Sequence, residues 1–259
     1  MRIDRFSLLL LFAGMFLIAF VCIVLGAMLY EQALDVSTFL EAMEDPAVID
    51  AIWVSISATT CSTLIAFAFG VPLAYLLARR DFPGKNLVEG VLDIPMMIPH
   101  IVAGIALFEV FNRSGLVGSP LRMLGLTFQD SFPGVVVAML FMSFPYLVNS
   151  AREGFRSVDP RLEKVARSLG ASPWKAFLRV TFPLAFPSIL NGMLQCWSRG
   201  ISEFSAVLIL AYFPKSAPIL IYERFTTYGL SASRPVSVLL ILICLAIFAL
   251  SRLPRWRRA

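Results

Sequence analysis

Apolar runs too long for a soluble core constrain this chain before any other feature does. Residues 7–30 give 24 positions without a charge, and residues 51–78 give 28 more. A helix rises about 1.5 Å per residue, so roughly 20 apolar residues cross the hydrocarbon core of a bilayer. Four further runs have the same character: residues 91–111, 132–150, 182–213 and 235–250. The fold class that follows is an all-α membrane protein with six transmembrane helices. Only 15% of the residues are charged, where a soluble domain carries about a quarter. The first run follows Arg2 and Arg5 as a signal peptide would, but it is too long for the apolar stretch of one and is read as helix one.

Orientation follows from the basic residues, because cytoplasmic segments retain them. With the N-terminus inside, sixteen lysines and arginines fall in inner segments and five (Arg113, Arg122, Lys215, Arg224 and Arg234) in outer ones. Arg199 lies inside a span. Both termini are therefore expected in the cytoplasm, and the net charge of +5 reports topology and anionic lipid, not nucleic acid. The outer segment 31–50 carries six acidic residues and no basic one, a solvated face or a docking surface for a soluble partner. This divides the chain into residues 1–50 (first helix and outer loop), 51–252 (transmembrane domain) and 253–259 (basic cytoplasmic tail).

The inner loop 151–181 is too charged to span. Asp159-Pro160 reads as a helix cap followed by proline at the first helical position. Leu162, Val165, Ala166 and Leu169 then form one apolar stripe, and Gly170 supplies the stop. Ser172-Pro173 repeats the start, with Trp174, Phe177 and Leu178 behind it. Two short amphipathic helices hinged at a glycine are expected, able to lie on a membrane or to dock into another protein.

Ionisable groups at membrane depth cost about 3 kcal/mol each, so each needs a reason. Asn191, Gln195, Arg199 and Glu203 recur every four residues in the fifth span, with Ser198 and Ser202 beside them. Arg199 and Glu203 can pair, which makes the stripe either glue between helices or the wall of a translocation pathway. In the third span Pro95 and Pro99 should kink the helix, and His100 reads as a hydrogen-bonded structural residue. Asp93 and Glu109 fall near its two ends. Cys22, Cys61, Cys196 and Cys244 stand singly in apolar runs, and one histidine cannot build a multi-imidazole metal site. Neither a catalytic residue nor a metal site is expected.

The stretch from Glu163 to Gly170, followed nine residues later by Val180-Thr181-Phe182-Pro183, resembles the EAA loop of type I binding-protein-dependent ABC importer permeases. The glycine, the interval and the final proline match in place. Lys164 and Val165 stand where Glu and Ala are usual, and Glu163 lies one position early. Residues 70–79, closing span two, and 92–104, opening span three, are similar to the same family. That resemblance implies a cytoplasmic coupling helix between helices 4 and 5, with Glu163, Val165, Ala166, Leu169, Gly170 and Pro173 engaging a cytoplasmic ABC ATPase dimer.

Arg199-Gly200-Ile201-Ser202-Glu203-Phe204-Ser205-Ala206 resembles the signature of permeases for tetrahedral oxyanions, with Ser205 replacing a usual glycine. The segments 211–214 and 217–225 resemble archaeal molybdate/tungstate permeases. The implied translocation pathway is Asn191, Gln195, Arg199, Ser202 and Glu203, and the implied further partner is an extracytoplasmic oxyanion-binding protein. No phosphate-binding Gly-rich loop of the Gly-x-x-x-x-Gly-Lys-Ser/Thr type is present in the sequence, so ATP and Mg are expected on a separate ATPase chain. One coupling loop per chain against two ATPase grooves points to a homodimer, with a heterodimer as the alternative. A sulfate permease and an ion-coupled secondary transporter are the rival functions.

Overall fold

The computed structural model describes residues 5–256; Arg2, Arg257 and Arg258, used above to orient the termini, lie outside the described residues. Helices run in the order α1 (Arg5–Ala33), α2 (Val36–Glu44), α3 (Pro46–Arg79), α4 (Lys85–Met97), α5 (His100–Phe111), α6 (Gly118–Met123), α7 (Phe132–Ser157), α8 (Pro160–Ser168), α9 (Pro173–Ala176), α10 (Phe182–Ile201), α11 (Ser205–Leu210), α12 (Ala217–Tyr228) and α13 (Leu230–Trp256). Among the described residues there is no strand. Five helical stretches are long and apolar enough to cross a bilayer: Gly14–Ala33, Pro46–Arg79, Phe132–Ser157, Pro173–Ile201 and Leu230–Ala249. A sixth span is obtained when α4 and α5 are counted together.

Three expectations need correction. Residues 91–111 are not one kinked helix, because α4 and α5 meet at 112°. Pro99 has no N–H to continue the ladder, and Ile98 before it is held extended at φ −81°, ψ 147°. The outer segment 31–50 is helical along most of its length. Asp35 caps α2 by accepting from the Thr38 N–H, and Asp45 accepts from the Ala47 N–H as α3 begins. The second amphipathic helix does not stand alone either. It is the first turn of the fifth span, joined to α10 by a π-helical turn at Phe177–Thr181.

The chain forms two compact units, Met1–Ile49 with Leu220–Ala259, and Asp50–Ile219. In the first, α1 and α2 pack against α13. Arg224 pairs with Asp45, and Arg234 lies 3.7 Å from Glu31.

The second unit is held by two apolar clusters. One gathers Leu107 of α5, Val135 and Met139 of α7, and Val207 and Leu210 of α11. The other gathers Val71 and Ala74 of α3, Leu147 and Phe155 of α7, and Ile189 of α10. Apolar burial gives little preference for one helix contact over another inside lipid, so close backbone approach and interhelical hydrogen bonds decide the pairing. The α7–α10 contact shows both. A side chain on Gly192 would meet Ser150 Cβ at 2.8 Å and the Leu147 backbone at 3.1 Å, and the Ser150 hydroxyl donates to the Ser188 carbonyl at 2.8 Å.

Gly192→Leu should therefore force α7 and α10 apart and cost roughly 1–3 kcal/mol, read as a lower melting temperature of the detergent-purified protein. Gly26→Leu, where nothing lies within 4 Å, should not lower it.

Candidate functional site

Two constellations carry chemistry, both inside the second unit. The first surrounds α8. Asp159 caps it by accepting from the Arg161 N–H, and Pro160 occupies the first turn. Its far end is a complete glycine-terminated motif. Gly170 sits at φ +89°, its N–H reaches the Arg167 carbonyl at 3.0 Å, and the Ala171 N–H reaches the Ala166 carbonyl at 3.0 Å. Ser172 then caps α9 through the Lys175 N–H. Both cap-plus-proline starts and the glycine stop stand where the residue pattern places them.

The two faces of α8 differ in purpose. Glu163 turns inward and accepts three hydrogen bonds: from the Tyr75 hydroxyl at 3.1 Å, from Arg79 Nε at 3.0 Å and from the Thr181 hydroxyl at 2.7 Å. Arg79 also donates from Nη2 to the Val158 carbonyl at 2.9 Å. One carboxylate thus ties α8 to the end of α3 and to the π-turn that opens the fifth span. Beneath it Tyr75 packs edge-on against Phe155 and Phe177, and Trp174 stacks on Phe177. Leu162, Val165, Leu169 and Trp174 are uncovered, Leu169 to 83%. Ala166 is half-buried, and Gly170 and Pro173 are exposed. The face away from Glu163 is an apolar tip flanked by Arg161, Lys164 and Arg167.

Reading the sequence missed Tyr75, Arg79 and Thr181. Arg79 entered only as one more inner cation, and nothing local signals that its partner lies 84 residues away.

The second constellation lies where α10 ends. Asn191, Gln195 and Arg199 follow the helix, but α10 stops at Ile201, Ser202 caps it and Glu203 falls in the turn before α11. The Arg199–Glu203 pair forms nonetheless, at 2.7 Å. Gln195, Ser198 and Ser202 are exposed and Asn191 is half-buried, while Glu203 is sealed at 0% exposure. Its Oε1 accepts from the Ala206 N–H at 3.0 Å and so caps α11. His100, at the start of α5, joins this pair. Arg199 Nη2 lies 2.8 Å from both ring nitrogens, and His100 Nδ1 lies 3.3 Å from Glu203 Oε2. Asp93 accepts from Asn149 Nδ2 at 2.7 Å, and Glu109 is exposed. Among the described residues no group of three or more His, Cys, Asp or Glu side chains is arranged to hold a metal.

Comparison with known proteins shows the family of the chain. Residues 70–255 match the family described as binding-protein-dependent transport system inner membrane component. The chain is 46% identical over 252 residues to the molybdate/tungstate transport system permease protein of Thermococcus kodakarensis, covering 97% of each. It is 31% identical over 238 residues to a probable sulfate transport system permease protein of Nephroselmis olivacea, covering 90% of this chain and 84% of that one. Its fold is similar to a chain in the crystal structure of a bacterial alginate ABC transporter in complex with an alginate pentasaccharide-bound periplasmic protein. The TM-score there is 0.76 at 17% identity, with 96% and 94% of the two chains covered.

Losing the inward contacts of Glu163 should loosen α8 without unfolding the bundle. For Glu163→Ala three hydrogen bonds vanish and Arg79 is left half-buried, a local cost of about 2–4 kcal/mol. Limited trypsin digestion in detergent should then cleave at Arg161, Lys164 and Arg167 at least about tenfold faster, with the helical circular dichroism unchanged.

Proposed function

Since this chain belongs to the binding-protein-dependent inner membrane transport family, we propose that it is the permease subunit of an ATP-driven importer of tetrahedral oxyanions, molybdate and tungstate. The single observation that carries the substrate is the 46% identity along 97% of the chain to a permease named for those two anions. The sulfate alternative is supported at 31% and 34% identity, below the 46% of the molybdate/tungstate relative. An ion-coupled secondary transporter has no support in the family match, and it leaves the glycine-terminated loop without a task. The protein is an integral, multi-pass membrane protein.

In this reading residues 51–252 form the transmembrane domain, both termini are cytoplasmic, and α8 is the coupling helix. The exposed Leu162 and Val165 of α8, with Leu169 at its end and Trp174 of α9, insert into a groove of a cytoplasmic ABC ATPase dimer, which carries ATP and Mg. Glu163 serves coupling from the inside, as the strap that passes movement of α8 to α3 and α10. Ala166, Gly170 and Pro173 shape the tip. Two copies of this chain meet the two ATPases, and an extracytoplasmic oxyanion-binding protein delivers the anion from the other side. The pathway runs along Asn191, Gln195, Arg199 and Ser202, with Glu203 behind them as the counter-charge. An exposed polar face at membrane depth supports this, because lipid offers such groups no partner.

The test is uptake into vesicles holding the permease, its partner ATPase and its binding protein. ATP-dependent accumulation of radiolabelled tungstate, displaced by molybdate and not by sulfate, is expected; displacement by sulfate would reassign the substrate. Leu169→Asp should weaken ATPase binding to the purified permease at least about tenfold. Its melting temperature should not change, because Leu169 is 83% exposed.

A further inference from the structure

Arg199, Glu203 and His100 are arranged one-sidedly, and a simple structural ion pair does not need to be. Side-chain exposure falls from 44% at His100 to 17% at Arg199 and 0% at Glu203. The carboxylate is therefore sealed behind the cation, and its two oxygens are committed to Arg199, His100 and the Ala206 N–H. Arg199 keeps more than it gives. A guanidinium has five N–H donors, and here Nη2 alone serves Glu203 and His100. Among the described residues Nε and Nη1 have no partner, yet neither is a sealed, unsatisfied atom.

His100 completes the geometry. The ring reaches both members of the pair, with Nδ1 3.3 Å from Glu203 Oε2 and Arg199 Nη2 2.8 Å from the ring nitrogens. Its task is then to hold the guanidinium. On the same stretch of helix stand the exposed Gln195, one turn back, and the exposed Ser198, while the Ser202 hydroxyl donates to the Arg199 carbonyl at 3.0 Å. The backbone is interrupted here in two places: the α4–α5 break and the turn between α10 and α11. Interrupted helices at membrane depth are tolerated where they line a cavity, and they mark ion sites in other transporters.

We infer that Arg199 is a transit site for the tetrahedral oxyanion inside the membrane. The inference rests on the oxyanion-permease reading above and names the site it uses. The N–H groups on Nε and Nη1 of Arg199 donate singly to anion oxygens, with Ser198 and Gln195 as neutral donors on the same helix. Glu203 cancels most of the guanidinium charge from behind, so the anion is held weakly enough to leave. His100 is a positioning residue that holds the guanidinium.

The experiment uses the full complex in vesicles, supplied with saturating tungstate-loaded binding protein, and reads both tungstate uptake and ATP hydrolysis. The double variant Arg199→Gln with Glu203→Gln removes both charges while keeping shape and hydrogen-bonding groups. A transit site predicts at least a tenfold fall in uptake, with several-fold more ATP spent per anion. A pair that only glues helices predicts wild-type uptake and an unchanged ratio, and that result overturns the proposal. If the double variant fails to assemble, Arg199→Lys decides, since it keeps the charge and the Glu203 pair but loses the additional planar N–H donors. It should cut uptake per ATP several-fold, and an unchanged ratio there is equally fatal. For His100, Ala should mimic the Lys variant and Gln should restore coupling; a Gln variant as poor as Ala refutes the positioning role. Absence of uptake by the wild-type complex would defeat the permease reading itself, so the two failures are distinguishable.

Discussion

A charge placed in hydrocarbon must bring its partner with it, and Glu203 is where this chain meets that requirement. Hydrocarbon offers neither water nor counter-ion, and an ionised carboxylate there is expensive unless its oxygens are bonded. Glu203 receives Arg199 on one oxygen and the first turn of α11 on the other. This explains why the fifth span ends at Ile201 although the apolar run continues to Phe213. The turn after α10 brings the carboxylate round to cap α11, and α11 in turn packs on α5 and α7. The cation, the helix end and the packing of three elements share one side chain.

The same economy operates at the other end of α10. Glu163 binds Tyr75, Arg79 and Thr181, so the short helix α8 cannot move without moving the ends of α3 and of the fifth span. The apolar stripe on α8 then needs a reason to remain uncovered. Leu169 at 83% exposure and Trp174 at 66% make a costly surface for a tip held this rigidly. An apolar tip on a braced helix suits a groove in a partner protein. It suits a membrane surface less, because flanking Arg161, Lys164 and Arg167 would satisfy anionic headgroups without the glycine-terminated geometry.

Much of this was legible in the residues, and the remainder fails for definable reasons. The two caps at Asp159 and Ser172 and the stop at Gly170 are local chemistry, and each is found in place. Apolar run length likewise located four of the spans, but it placed the fifth at 182–213 where the helix runs Pro173–Ile201. It could not separate a kink from a 112° break at Pro99, since a run of apolar residues reads alike whether the helix bends or stops. Helical spacing drew Glu203 onto the face of Arg199, and the pair does form, but periodicity carries no information on where a helix ends. His100 looked solitary because its partners are 99 and 103 positions away. Long-range pairing of this kind is set by packing, and a single sequence does not display packing.

The two constellations are joined by one mechanical element. Thr181, bonded to Glu163, begins the run of helix that carries Arg199 eighteen residues later, a separation of about 27 Å at 1.5 Å per residue. In the coupling-helix reading, displacement of α8 is carried toward the guanidinium along this helix, in which Pro187 removes one ladder hydrogen bond. The π-turn at Phe177–Thr181 sits at the driven end. An extra residue in one turn is a local irregularity that permits a change of register at low cost, and such turns recur at functional positions. The driven end of the helix therefore has slack, while its far end is pinned by Glu203 and His100 on a different set of elements. In the same reading, movement of α8 is expressed as a change in the angle between α10 and the α5–α11 pair, and that angle sets how Arg199 is presented.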